Sequence, residues 1–424
     1  MVSILFLTLV VALIIGIPVG FAVGISSTVY LVMQGFPPVS IVAQRMVDGV
    51  NSFPLMALPL FILSGEIMAY GSTPRLMKLA NMFLGRVPGG LGATAAAGCG
   101  FFGAISGSGV ATTAAIGGIM GPEMVKKGYN PGFTASLLAG AGALGIVIPP
   151  SLSMVVYGTT GSVSIGNLFI AGIIPGILAV GALIVLSVCI GKRRGYLSDS
   201  GKYSRDHKLT IILDAALPLL MPGIILGGVL SGAVTPTESA VVAVVYAFIL
   251  ATFVYRELTF RSLVSICINS AISSSIIMFI MSTATPFGWI MATQNIPQLF
   301  AKGLLAISSN PTVIYILITF LLLFLGTFME TNSTIILMTP ILLPIVVNLG
   351  MDPIHFGIAM ILNLAVGGAT PPLAVCLFTS TRILGIRIED TFPDIFYVVG
   401  TLSLILLLVV LIPQLSMWLP NLLK

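Results

Sequence analysis

Long stretches of this chain are apolar without interruption, and the breaks between them are short and rich in glycine, proline and hydroxyl-bearing residues. Ile170 to Ile190, Leu217 to Leu230 continuing into Val241 to Val254, and Val398 to Ile412 are apolar runs long enough to span a bilayer. They lack the period-two alternation of an outer-membrane barrel, so they predict helices. The pattern also occurs twice. Pro149-Pro150, set between two apolar stretches, recurs at Pro371-Pro372, and the same shift of 222 residues carries Asn130-Pro131 onto Asp352-Pro353 and Pro122 onto Pro344. Upstream the register differs by one: Ile67-Met68-Ala69 and Pro74 fall on Ile290-Met291-Ala292 and Pro297.

Composition narrows the class. Hydrophobic residues make up 57% of the 424 positions and charged residues 7%, too few polar groups to coat a water-soluble globule. The expected fold is an all-α polytopic membrane protein with hardly any room for a soluble domain. Apolar sequence follows directly on Met1-Val2-Ser3, without a basic n-region or a small-residue cleavage site, which predicts a retained first helix. Cys99, Cys189, Cys267 and Cys376 stand singly in apolar segments and read as packing residues.

The net charge of +5 reflects basic residues dispersed at helix ends, with no aromatic platform for nucleic acid. With Met1 outside, each apolar run crossing, and the segments around Ser106 and Glu330 treated as hairpins, all but three of the 18 basic residues fall on one side. Arg45, Lys302 and Lys424 lie opposite. The crowded side is then cytoplasmic, and both termini are outside. This topology opens the first hairpin inward and the second outward, so the repeats, 1–210 and 211–424, are inverted. Lys192 to Lys208 is the one real linker. Arg75 to Leu84 and Pro297 to Leu305 occupy equivalent places and are expected in the interface plane.

Four segments carry the candidate chemistry. Residues 106–113, SGSGVATT, interrupt apolar sequence with small and hydroxyl-bearing residues and predict a hairpin tip whose backbone leaves helical geometry. Residues 329–334, METNST, are the second tip, with Glu330 as an ionisable group facing a water-filled cavity or a partner. The Pro-Pro pairs break their helices near 145–151 and 367–372, because proline removes a donor and forces its predecessor out of the helical region. The carbonyls so freed, Gly145 to Ile148 in the first break, can face an ion. A pair of broken helices in a duplicated membrane protein points to transport of a small polar solute. Thr235 to Ser239 fits an outside turn with an N-capped helix start. Glu66 reads as an exposed structural carboxylate near its helix end, and His207 and His355 as isolated loop residues. No nucleophile, base or metal constellation supports an intramembrane enzyme.

These residues resemble the large membrane subunit, DctM-like, of tripartite ATP-independent periplasmic (TRAP) transporters. The matching stretches include FFGAISGSGVATTAAIGGIMGPEMVKKGY, GALGIVIPPSLSMVVYG, TPTESA, GTFMETNSTIILMTPILLPI and GGATPPLAVCLF. The resemblance implies a sodium-driven importer of small organic anions in the bacterial inner membrane, working by an elevator movement. It also implies a small membrane subunit and a periplasmic substrate-binding protein as partners. One sodium site would use Ser106, Ser108 and carbonyls from Gly145 to Pro149, and its counterpart Thr331, Asn332 and carbonyls from Gly367 to Thr370. The solute would lie between them, near Ser108, Thr112, Ser151, Glu330, Asn332, Thr334, Pro150 and Pro371. Two departures stand out: Thr112 occupies a position acidic in sialic acid carriers, and Ala374 and Cys376 replace a glycine and an asparagine. A single-component sodium/dicarboxylate transporter without a binding protein is the alternative.

No lysine or arginine falls in the membrane part of this site; Arg382, ten residues past Pro372, would lie roughly 15 Å along a helix. A solute anion therefore has to be met by bound cations, helix dipoles and hydroxyls.

Overall fold

The computed structural model describes residues 2–35, 37–196, 205–372 and 374–423, and among these every regular element is a helix. Among the described residues, eight helices are long and apolar enough to cross a membrane. Large apolar side chains stand open on their outer faces, with Ile14, Phe260 and Phe320 more than half exposed. That much open apolar surface suits lipid and not water. Cys189 and Cys267 share this exposure; of the four cysteines only Cys99 and Cys376 are buried, so the packing reading fails for two.

Each repeat contains a hairpin followed by a broken helix. The first hairpin runs Gly90–Ser106 and Gly109–Lys126, and the first broken helix Pro131–Ala143 and Leu152–Thr160. The second hairpin runs Pro311–Phe328 and Thr331–Asn348, and the second broken helix Pro353–Ala369 and Val375–Leu384. Both broken helices start alike: Asn130 caps the Phe133 N–H at 3.1 Å, Asp352 caps the Ile354 N–H at 2.7 Å, and proline follows as first helical residue. Both Pro-Pro bonds are cis.

The repeats interlock. Leu152–Thr160 packs on the second hairpin's return arm, while Val375–Leu384 packs on the first hairpin's return arm. In lipid, helices gain little from burying apolar surface against one another, so close backbone approach has to supply the association. Glycines provide it. A Cβ on Gly103 would lie 2.8 Å from the Gly145 Cα, and one on Gly367 would lie 2.7 Å from the Gly326 carbonyl carbon. Gly103 and Gly326 are 223 residues apart, Gly145 and Gly367 222 apart, so one contact holds hairpin to broken helix in both copies.

The one-residue slip in register has a physical location. From Gly103 to the cap of the return arm, Ser108, is five residues; from Gly326 to its equivalent, Glu330, is four. The extra residue sits in the first tip, where Gly107 takes a left-handed φ of 60°.

Several expectations change. Both tips are narrower than the sequence suggests: only Gly107 and Ser108 leave helical geometry in the first, Met329 and Glu330 in the second, because Ser108 and Glu330 cap the next helix at once. Arg75 to Leu84 does fall on a helix of its own, set off within Ala57–Leu84 by the non-helical Tyr70 and left-handed Gly71, just as left-handed Asn295 sets off Ile296–Ile307. Lys192 to Arg194 complete the helix Ile165–Arg194, and helix resumes at Arg205, so the linker is shorter than 192–208. Lys202, the linker core 197–204, Met1 and Lys424 lie outside the described residues. Neither histidine is in a loop: His207 lies on Arg205–Leu230, and His355 is buried in the first turn of Pro353–Ala369, its Nδ1 2.7 Å from the Ser416 hydroxyl. Glu66 stands one turn before the kink and is half-buried, not exposed. Thr235 and Glu238 form the capping box that the turn suggested.

Arg194 and Asp394, 200 positions apart, close a two-pronged ion pair that ties the helix Ile165–Arg194 to Asp394–Leu411. Asp394 is buried while Arg194 keeps 31% of its side chain exposed. Removing one partner of a buried pair strands the other. Asp394→Ala is expected to cost on the order of 3 kcal/mol, read as a lowered melting temperature of the purified protein.

Candidate functional site

Between the two tips and the two breaks lies a cleft of about 550 Å³ including its open mouth. Gly107 to Val110 and Met329 to Asn332 line it from the tips, Ala143, Ile146, Leu152 and Ser153 from the first break, and Leu364, Ala365, Gly368, Val375 and Cys376 from the second. The first two residues of four helices are among these: Gly109-Val110, Leu152-Ser153, Thr331-Asn332 and Val375-Cys376. Four helix N-termini therefore converge on one space, each carrying a partial positive charge of about half an elementary unit. None of the described residues lining it is a lysine or arginine.

Three of these helices are capped by their own chain. Ser108 accepts from the Ala111 N–H at 3.4 Å, Ser151 from the Met154 N–H at 3.4 Å, and Glu330 from the Ser333 N–H at 2.8 Å. Ser151 also donates to the Ile146 carbonyl and so stitches the first break across its own gap. The fourth helix, Val375–Leu384, follows Ala374 and has no side-chain cap. Ala374 adopts a φ of 27°, backbone that glycine takes up more readily, at one of the two positions where the chain departs from the motif it resembles.

The residues named for a first cation site do come together. The Ser106 and Thr112 hydroxyls are 2.9 Å apart, Thr112 donates to the Ser108 carbonyl at 2.7 Å, and the Ser108 N–H donates to Ser106 Oγ at 3.3 Å. Gly145 lies against this knot: a Cβ there would be 2.5 Å from Thr112 Oγ1 and 2.8 Å from the Ser108 carbonyl oxygen. Such an all-oxygen set suits a hard cation. Pro149 and Pro150 do not line the cleft; the Pro150 carbonyl instead abuts Gly107, whose amide carbonyl accepts from the Leu152 N–H at 3.4 Å.

The second tip is organised differently. Glu330 Oε1 accepts from Asn332 Nδ2 at 3.0 Å, and Oε2 accepts from both the N–H and the hydroxyl of Ser333, at 2.8 and 3.0 Å. Asn332 Oδ1 accepts in turn from the Ser153 hydroxyl at 3.0 Å. Thr331 and Asn332 line the cleft, but the Thr370 hydroxyl turns back to the Val366 carbonyl, Thr334 turns back to the Glu330 carbonyl, and Gly367 is pressed on Gly326. Pro371 does not line the cleft either. Sequence reading did not place Ser153 at the cleft, and it singled out Cys376 only as a packing residue and a departure from the motif. Both are second residues of their helices, a position that only the observed helix starts reveal.

The model of the family described as tripartite ATP-independent periplasmic transporter, DctM component, matches residues 6–415. The isethionate TRAP transporter permease protein DctMQ of Oleidesulfovibrio alaskensis is 39% identical over 407 residues, 96% of this chain; the chain spans 64% of that protein. The sialic acid large permease protein SiaM of Vibrio cholerae is 36% identical, covering 96% of this chain and 95% of its own. The C4-dicarboxylate large permease protein DctM of Rhodobacter capsulatus is 34% identical, covering 99% of both. Among solved structures, the crystal structure of the Alcanivorax borkumensis YdaH transporter aligns over 88% of each chain with a TM-score of 0.58 and 14% identity, a likeness of fold alone.

The Gly145 cradle yields a direct test. Gly145→Ala would drive a methyl into Thr112 Oγ1 and the Ser108 carbonyl, so it is expected to reduce solute uptake at least tenfold while the protein still inserts and purifies as a single species. Uptake by vesicles carrying the variant checks this.

Proposed function

Because the chain belongs to the DctM component family of tripartite ATP-independent periplasmic transporters, we propose that its cleft takes a small organic anion together with sodium. It is a multi-pass membrane transporter permease and not an enzyme. The observation that carries the proposal is the convergence of four helix N-termini on a cleft without lysine or arginine. An anion held this way gains about 0.3–1 kcal/mol from each exposed helix start, more where water is excluded. Glu330 opposes it with a full negative charge at one wall, so the site needs a compensating cation.

The oxygen-only knot of Ser106, Ser108 and Thr112 supports sodium as that cation. When bound it supplies positive charge beside the solute, which an anion-poor wall of hydroxyls and carbonyls cannot do. Ser106 and Thr112 hold their hydroxyls at the tip, Gly145 leaves room for them, and the N–H groups of the four helix starts orient the anion. Of the second set, Thr331 and Asn332 with the Gly367 to Thr370 carbonyls, Thr370 would have to turn from the Val366 carbonyl, whereas Asn332 Oδ1 keeps a second lone pair for the cation while it accepts from Ser153.

Relatives are named for isethionate, sialic acid and C4-dicarboxylates, which supports a small carboxylate or sulfonate as the cargo. The family supports uptake with a periplasmic binding protein and a small membrane subunit as partners. We further propose that the two repeats are inverted, with both termini periplasmic in the bacterial inner membrane. Hairpins and broken helices then move as one body past Ala57–Leu84 and Phe260–Thr293. Gly65, where a Cβ would lie 3.1 Å from the Ser106 Cα, supplies a close contact on that path.

Replacing sodium by potassium is expected to abolish uptake into vesicles holding the complete transporter; uptake at full rate without sodium would refute the coupling. Glu330→Gln keeps an oxygen to cap the Ser333 N–H but loses the charge. It is expected to lower uptake severalfold with folded protein retained, and unchanged uptake kinetics would remove Glu330 from the mechanism.

A further inference from the structure

The second tip is not held by its own repeat alone. Ser153, fully buried on the second limb of the first broken helix, donates to Asn332 Oδ1 at 3.0 Å, and Asn332 passes the bond on from Nδ2 to Glu330 Oε1 at 3.0 Å. This series crosses 179 residues of sequence and joins the wall of the first break to the one carboxylate in the cleft. We propose that Ser153 is a positioning residue for the second tip: it fixes the Asn332 amide, and through it the Glu330 carboxylate, in the orientation that takes part in cation binding.

The amide explains why a hydroxyl at this place has consequences. With Ser153 donating, Asn332 must present its oxygen to Ser153 and its NH₂ to Glu330. If that donor is lost, the amide is free to rotate, and Glu330 keeps only the two donors of Ser333. The carboxylate would still cap its helix, but the oxygen now held by Asn332 would no longer have a set direction. Ser153 therefore acts on the orientation of a charge and not on the stability of the hairpin.

The other side of the cleft supplies an internal comparison. Cys376 is the second residue of its helix, as Ser153 is of its own, and it lines the same cleft. Its sulfur lies against Gly109, where an added Cβ would be 3.4 Å away. Gly109 has no side chain to hold, and the cap at that tip is an uncharged serine, Ser108. The polar cross-link thus occurs where a carboxylate needs orienting, and a thiol stands where none does.

This inference rests on the reading of the cleft as a sodium-assisted anion site, and the test separates the two. The full chain, purified with its membrane partner subunit, is titrated with sodium while thermal stabilisation is followed, and the sodium dependence of uptake is measured in parallel. Ser153→Ala and the volume-matched Ser153→Cys, which copies the Cys376 side, are each expected to raise the half-maximal sodium concentration about fivefold, as the loss of one hydrogen bond to a charge-bearing series implies. Their melting temperatures without sodium should stay native. Asn332→Ala should produce at least as large a shift, and adding Ser153→Ala to it should produce no more. Native sodium affinity in both Ser153 variants overturns the positioning role. A shift confined to melting without sodium also overturns it, by making Ser153 merely structural. Absence of any sodium stabilisation in the native protein overturns the cation reading, and this role with it.

Discussion

Backbone broken inside a bilayer has to find its partners within the protein, and most of what is distinctive in this chain follows from that constraint. Each unpaired polar group at membrane depth costs several kcal/mol, yet four helices here begin mid-protein beside the same cleft. The chain meets the demand locally. Ser108, Ser151 and Glu330 cap the helices they precede, Ser151 also returns a bond to Ile146 across the first break, and the Gly103–Gly145 and Gly326–Gly367 contacts hold each tip against its own broken helix. What remains is a ring of helix starts with spare positive potential. The proposed solute site is therefore a by-product of how the fold satisfies its interruptions, not an addition to it.

Duplication gives the cleft two walls, but they are not equivalent. The first tip carries one more residue, absorbed by left-handed Gly107, and gathers neutral oxygens from Ser106, Ser108 and Thr112. The second is shorter, carries Glu330 and is bonded through Asn332 to the opposite repeat. The fourth helix start, after Ala374, lacks a side-chain cap. A pseudo-symmetric frame thus holds an asymmetric pair of tips, one neutral and one charged. On the proposed reading, that division lets charge balance among anion, cation and carboxylate be reached with no basic side chain among the described residues of the cleft.

Much of this was legible in the sequence, for identifiable reasons. Paired prolines have one meaning in an apolar helix, so both breaks contain their Pro-Pro pair, although the second opens only after Ala369, with Gly367 to Ala369 still helical. The Asn130-Pro131 and Asp352-Pro353 starts and the Thr235 capping box are equally local, and they too are observed. Tip width was overestimated because hydroxyl-rich sequence fits a cap followed by helix as well as it fits an open loop; Val110 to Thr113 turn out helical. Ser153 escaped notice, and Cys376 was read only as packing and as a motif departure, because their places depend on what faces them across the cleft; nothing in local spacing reports that Ser153 has a partner 179 residues away. His355 was misjudged in the same way: its partner, Ser416, is supplied by the last helix of the chain.

The central claim is that the solute sits among the four helix starts, and a structure of the complete transporter determined with sodium and its bound anion tests it most directly. The account predicts density for the anion between Ser108, Ser153, Asn332 and Cys376, with its charged group on backbone N–H donors. Anion density outside this cleft, for instance against the Arg194 side chain, would contradict it.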